Sequence, residues 1–343
     1  MKAAVLSRAL RSRHEEVLVH TGQHYDDLMS DVFFRELGLP APDVNLGVGS
    51  AGHAVQTARI LEALEPVLLD QRPDLVLVYG DTNSTLAGAL TAAKLNLPLA
   101  HVEAGFRSYN RSMPEEINRL LTDHVSRYLF CATLKSVECL RREGIDRGVH
   151  HVGDLMYDSL RAMLPRAKAG QSKVLHSFGV QSGDYFLATV HRPANTDDEN
   201  ALRSLLEAFG KLEAPVIFPM HPRTRAALIR WSIGPAPNVR IVDAVGYLDM
   251  LALESNARAV LSDSGGVRRE AYFLAVPCVT LREDSEWPET QLDGWDVLAG
   301  TDIARIFEAA RRPAPETPPL PVFGNGRTAR KIIEILERDP PNC

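Results

Sequence analysis

Two stretches of this sequence run from apolar residues straight into side chains that can move protons. In "LVLVYGDTNST" the run ends in Gly80 and Asp81, followed by Thr82, Asn83 and Ser84. Standing alone, Asp81 would also serve as a helix cap. "LAHVEAGFRSYNRSMPEEINR" is denser: His101 and Glu103 close the run, Gly105 breaks it, and Arg107 and Arg111 follow. Pro114 then opens a helical pattern with Glu115 and Glu116 in its first turn, where the helix dipole favours carboxylates in any case. Asn118 and Arg119 fall three and four residues beyond Glu115, on the same helical face. An acidic strand end, an acidic helix start and nearby arginines suit proton transfer on a polar substrate. Carboxylates brought close together also push one another's pKa values apart.

Three further stretches favour cations and glycine. "FLATVHR" ends in His191 and Arg192, and "VIFPMHPRTR" in His221 with Arg223 and Arg225 after it. "AVLSDSGGVRREA" runs through Asp263, Ser264, Gly265 and Gly266 into a helix, with Glu270 one turn further in. Adjacent glycines let backbone approach a ligand, and the free N–H groups of a helix start suit phosphate. A Ser-Gly-Gly turn by itself is equally at home as a structural turn. Taken together, these strand-end sites suggest a diphosphate-bearing ligand. The chain has no GxGxxG, Walker or GxSxG sequence, so nicotinamide, ATP and acyl-transfer chemistry lose support.

The elements that must position these residues alternate. Apolar runs at 16–20, 75–79, 99–102 and 128–131 predict strands, with helical patterns at 25–37, 53–69, 84–95, 114–125 and 156–167. The polar stretch "AKAGQSKVLHSFGVQSGD" reads as a linker. A second series has strands at 185–190, 216–219, 239–242, 259–261 and 278–281, and helices at 199–212, 223–231, 248–255 and 266–274. A last helix covers 328–338. Strands separated by helices imply parallel sheets covered on both faces, and two series imply two doubly wound α/β domains with ligands at the carboxyl ends of the strands. The expected division is 1–167, completed by 328–343, and 168–327, with the active site in the cleft between them. The chain opens unusually, on a helix: Val5, Leu6, Ala9 and Leu10 recur at helical spacing from the first residues.

The 343 residues suffice for two domains, and 45% hydrophobic with 24% charged residues is ordinary for a soluble globular chain. A net charge of −6 argues against nucleic acid as a partner. Four cysteines without CxxC or Cys/His spacing suggest neither a metal site nor a disulfide framework, and point to buried thiols in a reducing cytoplasm. No apolar run approaches the ~18–20 residues that span a bilayer, so no membrane association is expected.

"VYGDTNSTLAGAL", "HVEAGFRS", "MPEEINR", "TVHRPANTDD", "HPRTR", "SDSGGVRREA" and "EWPET", in this order over nearly the whole chain, together resemble the non-hydrolysing UDP-N-acetylglucosamine 2-epimerase family. The resemblance implies two Rossmann-like domains in the glycosyltransferase-B arrangement, UDP held mainly by the C-terminal one, and a last helix that crosses back onto the N-terminal one. It implies a cofactor-independent isomerase that inverts C2 of a UDP-linked acetamido sugar, through elimination of UDP to a glycal and re-addition. By motif, Asp81, Glu103 and Glu115 match the family's catalytic acids, His191 its histidine near the diphosphate, and Lys2 a lysine near the start. Ser264, Gly265 and Gly266 match the diphosphate-binding turn and Glu270 the ribose-holding acid, with Tyr247, Arg107 and Arg119 as further candidates for UDP. Gln23, His24, Arg192 and His221 resemble the site at which some members bind a second UDP-sugar as activator. A homodimer is the expected assembly.

"HTGQHYDDLMSDVFF", "GFRSYNRSMPEEINRLLTDHVS" and "DAVGYLDM" resemble a subgroup that includes epimerases of UDP-2,3-diacetamido-2,3-dideoxyglucuronic acid. That substrate, a hydrolysing reaction, and UDP-sugar binding without turnover are the alternatives to UDP-N-acetylglucosamine. The chain departs from the family at Ala194, at Ala275-Val276, and at Arg268, which is expected to add a cation beside the diphosphate turn. Members also begin with a strand and a Gly-x-Arg-Pro turn ahead of the lysine at Lys2. Their absence leads to the expectation of an incomplete central sheet and of weak or absent activity until they are restored.

Overall fold

Aliphatic and β-branched runs too short for helices become strands here, and each is buried in proportion to its place in a sheet. The computed structural model describes residues 1–23, 36–284 and 287–341. His24 and most of the expected helix at 25–37 lie outside the described residues. The chain divides into two units, Met1–Ala162 with Pro321–Cys343, and Met163–Leu320.

Among the described residues the first unit contains six parallel strands: β1 Val19–His20, β2 Val44–Asn45, β3 Val76–Tyr79, β4 Leu99–Val102, β5 Tyr128–Cys131 and β6 Val149–His151. They form two sheets. β1 pairs with β2, and the order β3-β4-β5-β6 makes the other. Among the described residues no strand joins β1 to β3. β4 and β5 are buried throughout, whereas β3, with one edge unpaired, is mostly half-buried. The opening helix, Lys2–Leu10, packs its fully buried Leu6 against Val102, Phe130, Ile332 and Ile333. The last helix, Thr328–Arg338, lays Ile332, Ile333 and Leu336 on that same core. Its start is fixed by Asp158, whose Oδ2 accepts from the Ala329 N–H at 2.9 Å.

The stretch expected to be a linker is helical as far as Ser177, and its last residues, 178–184, are not. Leu155–Ser177 is one continuous helix, and the chain passes from one unit to the other inside it, after Ala162. Polar composition suggests a linker, but Met163, Ala167 and Leu175 are buried, and this burial outweighs the roughly 1 kcal/mol that Gly170 costs a helix interior.

The second unit is a single parallel sheet of β7 Phe186–Thr189, β8 Val216–Pro219, β9 Val239–Val242, β10 Ala259–Ser262, β11 Cys278–Thr280 and β12 Asp296–Leu298, in the order β12-β11-β10-β7-β8-β9. Alternate side chains cover both faces: Phe186 and Ala188 enter one apolar cluster, Tyr185 and Leu187 the other. Chain order reverses between β7 and β10, which lie side by side with Thr189 in register with Ser262. Such a switch point is where doubly wound sheets open a crevice for ligands. Two helices absent from the sequence-based expectation, Leu134–Arg142 and Ile303–Arg311, begin at side-chain caps from Thr133 and Asp302.

Candidate active site

In the first unit the site is built at the carboxyl ends of β3 and β4 and at the start of the helix Pro114–Val125. Asp81 follows β3. It is not the cap of the next helix, because Thr82 takes that role: its Oγ1 accepts from the Thr85 N–H, and Thr85 Oγ1 accepts from the Thr82 N–H at 3.2 Å. The Asp81 carboxylate is left to Arg119, whose Nη2 and Nε lie 2.6 and 2.9 Å from Oδ2. Asn118 donates to the Asp81 carbonyl at 2.8 Å.

Glu103 follows β4 with φ +72°, a left-handed backbone that a non-glycine residue adopts at a cost of about 1–3 kcal/mol and that clusters at functional sites. Its carboxylate is 2.6 Å from the Lys2 ammonium, so the opening helix delivers Lys2 to Glu103. Two residues on, only glycine fits: a Cβ on Gly105, also at positive φ, would collide with the Ser136 carbonyl oxygen.

Glu115 and Glu116 part company. Glu116 turns inward and accepts from the Ser108 and Tyr109 N–H groups at 2.8 and 3.0 Å, from Ser108 Oγ at 2.8 Å and from Arg119 at 3.0 Å. Burial would raise its pKa, but these donors outweigh it and hold the carboxyl below its usual range. Glu115 is half-buried and has no bonded partner among the described residues. Of the pair, Glu116 organises the loop and Glu115 remains open to a ligand.

Arg107 and Arg119, expected to contact UDP, are enclosed by carboxylates instead. Arg107 Nη1 lies 2.6 Å from Asp123 and Nη2 2.7 Å from Glu143, with its side chain fully buried. Arg119 bridges Asp81 and Glu116 and stacks over the Phe106 ring at 4.3 Å. Both cations are neutralised inside the first unit.

In the second unit the site lies at the switch point. Asp263, just past β10 and fully buried, accepts at Oδ2 from the His191 and Arg192 N–H groups at 3.0 and 2.9 Å and from Asn195 Nδ2 at 3.0 Å. It thereby ties the turn after β10 to the turn after β7. His191 Nδ1 is 3.3 Å from Asp263 Oδ1, and its ring stands 5.4 Å from that of His221. Burial, with His221, Arg192 and Arg223 nearby, lowers the His191 pKa despite Asp263, so the imidazole is neutral at neutral pH. His221 is likewise lowered, mainly by burial, and its Nδ1 accepts from the Arg223 N–H.

Ser264 caps the helix Gly265–Phe273 by accepting from Val267, so the N–H groups of Gly265 and Gly266 begin a helix with no side chain beyond Cα. Glu270 sits one turn in, buried, with the Tyr247 hydroxyl donating to its Oε1 at 2.8 Å. Arg268 does not add a cation to this turn. It is fully buried and directed at Asp296, 2.6 Å away, whose oxygens also accept from Thr280 and Thr290. Of the expected activator residues, Arg192 and His221 join His191 around the switch point. Gln23 belongs to the first unit, where its Oε1 accepts from the Ser84 N–H at 3.0 Å and secures the start of the helix Asn83–Lys94.

Sequence reasoning picked out Asp263 and His101 as strand-end residues but assigned neither a role, and it missed Asp123 and Asn195. Asp263 and His101 each end a run of buried aliphatics, where an unpaired polar group would be expensive, whereas Asp123 lies inside the helix Pro114–Val125 and Asn195 in the single helical turn Pro193–Thr196, and no such run marks them. No group of three metal-ligating side chains stands together among the described residues.

A sequence profile of the UDP-N-acetylglucosamine 2-epimerase family matches residues 8–337. The chain is 48% identical to a UDP-N-acetylglucosamine 2-epimerase homolog of Methanococcus maripaludis, over 98% of this chain and 96% of the other. It is 44% identical to the UDP-2,3-diacetamido-2,3-dideoxy-D-glucuronate 2-epimerase of Pseudomonas aeruginosa, with the same coverage. Its fold is similar to a crystal structure of the Methanocaldococcus jannaschii UDP-GlcNAc 2-epimerase in complex with UDP-GlcNAc and UDP, at 40% identity and a TM-score of 0.89 over 98% of this chain and 96% of that one.

Proposed function

The chain belongs to the UDP-N-acetylglucosamine 2-epimerase family, and from that premise we propose that it interconverts UDP-N-acetylglucosamine and UDP-N-acetylmannosamine. One carboxylate among Asp81, Glu103 and Glu115 takes the C2 proton. The C2–H electron pair becomes the C1=C2 bond of a glycal, and UDP leaves with the C1–O pair. A second carboxylate returns a proton to the other face of C2 while the UDP oxygen re-adds to C1. No electron is gained or lost, so the cycle needs no redox cofactor. The turn Ser264–Gly266 and His191 suit the diphosphate, with Glu270 and Tyr247 for the ribose.

The observation that carries this reading is the set of three carboxylates at strand ends and a helix start, with Glu103 held by Lys2 in a left-handed backbone. Replacing any of the three by its amide is expected to lower kcat by about 10²–10⁴-fold, the scale of general acid–base catalysis, with UDP affinity unchanged by calorimetry. In heavy water, turnover should place deuterium at C2 of the recovered UDP-sugar. Free N-acetylmannosamine with UDP would mark a hydrolase, and UDP binding without exchange an inactive binder. The relative of 44% identity supports a second reading, the diacetamido-glucuronate substrate. Comparing kcat/KM for the two UDP-sugars decides between them.

The assembly is proposed to be a homodimer. Ile117, Leu121 and Val125 are exposed at four-residue steps on one helix, an apolar stripe that a second copy would cover. Leu121→Arg should then halve the mass seen by light scattering. A cytoplasmic location is proposed as well, and the free thiols of Cys131, Cys139 and Cys278 support it.

A further inference from the structure

Three carboxylates on two turns and a helix can share one substrate only if their backbones hold fixed mutual distances, and one buried chain of polar groups bonds to each of those segments. His101, fully buried on β4, directs Nε2 at the carbonyl oxygen of Gly80, 2.7 Å away and one residue before Asp81. Its Nδ1 lies 2.6 Å from Oδ1 of Asp123, which is on the same helix as Glu115. A carbonyl and a carboxylate only accept, so both ring nitrogens donate. The other Asp123 oxygen accepts from the Gly105 N–H at 3.1 Å, two residues after Glu103, and from Arg107 Nη1 at 2.6 Å. Arg107 closes the chain with two bonds of 2.7 Å to Glu143 and one of 2.7 Å to the Phe106 carbonyl. Asp123 is fully buried, and His101 and Arg107 overcome the effect of burial to hold it below the usual carboxylate range.

We infer that His101 and Asp123 are positioning residues for the epimerisation, clamping the Gly80–Asp81 turn and the Glu103–Gly105 turn to the helix that carries Glu115. The inference rests on the proposed roles of the three carboxylates. Neither residue reaches substrate. Each sets the spacing among groups that do, and displacement of a reacting group by about 1 Å is enough to cost about 10²-fold in rate.

The test measures His101→Gln and Asp123→Asn in the full chain beside Asp81→Asn, Glu103→Gln and Glu115→Gln. Gln keeps one donor of the two, and Asn keeps the shape of Asp123 with one acceptor. Both positioning variants are expected to lower kcat about 10–100-fold while KM and the UDP dissociation constant stay within about twofold, because the diphosphate turn belongs to the other unit. The pH profile of kcat/KM should also shift, since Asp81 and Glu103 no longer keep the same distances to Arg119 and Lys2. Should His101→Gln lose its fold, Asp123→Asn carries the test. A folded positioning variant with wild-type kcat, while the three amide variants are crippled, overturns this inference alone. Amide variants that keep full activity overturn the catalytic reading beneath it.

Discussion

Asp263 offers the sharpest test of how the switch point is held together. Its three donors, two backbone N–H groups and the Asn195 amide, converge on one oxygen, Oδ2, at 2.9–3.0 Å. Oδ1 has only the longer contacts at 3.1 and 3.3 Å, both to His191. Asp263→Ala strands all three donors in a fully buried pocket. Each stranded donor costs about 1–3 kcal/mol, which gives about 3–9 kcal/mol in all, with the lower end favoured if water enters the space left by the carboxylate. Asp263→Asn can keep its carbonyl at the Oδ2 position and turn its amide toward His191 Nδ1, which accepts in the Nε2–H tautomer of the neutral imidazole. That variant should cost about 1 kcal/mol. Urea unfolding gives both differences, and calorimetry gives UDP affinity, which should fall for Asp263→Ala as His191 loses its fixed backbone. Equal losses for Asn and Ala, or an Ala variant within about 1 kcal/mol of the parent, would refute the assignment of Oδ2 as the common acceptor.

Two further outcomes concern buried charge. Glu254 is fully buried, and neither carboxyl oxygen has a hydrogen-bond partner among the described residues, so burial and then Glu270 push its pKa well up. The native state therefore keeps its proton while the unfolded state loses it above about pH 4.3, and stability falls as pH rises through the interval between the two pKa values. Glu254→Gln should match or trail the parent near pH 4 and gain on it steadily toward pH 8 in urea titrations. Asp296→Asn leaves the Arg268 guanidinium without its counter-charge in the core and should cost about 3–5 kcal/mol, whereas Arg268→Met with Asp296→Leu should recover most of that loss.

The strands that carry chemistry were legible because each is a short apolar run with a polar residue soon after it. β3, β4 and β5 in one unit, and β7 to β11 in the other, stand where their apolar runs predict. β2, β6 and β12 are short and mix polar with apolar residues, as Val44–Asn45, Val149–His151 and Asp296–Leu298, so no apolar run marks them. The helix expected at 156–167 runs on to Ser177, and that second half was hidden by its polar composition, since what decides it is the packing of Leu175 against Tyr185, Leu187 and Ile217.

At the site, residue types alone identified carboxylates, histidines and a Ser-Gly-Gly turn at strand ends, and so the kind of chemistry and the kind of ligand. What they left undecided was which charges face outward. Arg107, Arg119 and Arg268 read as cations for a diphosphate, yet each is closed off by a carboxylate: Asp123 and Glu143, Asp81 and Glu116, and Asp296. A buried ion pair is a property of two residues brought within a few ångströms by packing, and most of these partners lie far apart along the chain. Local sequence records that a charge is present. Only the tertiary structure decides whether that charge is spent inside the fold or left for a substrate.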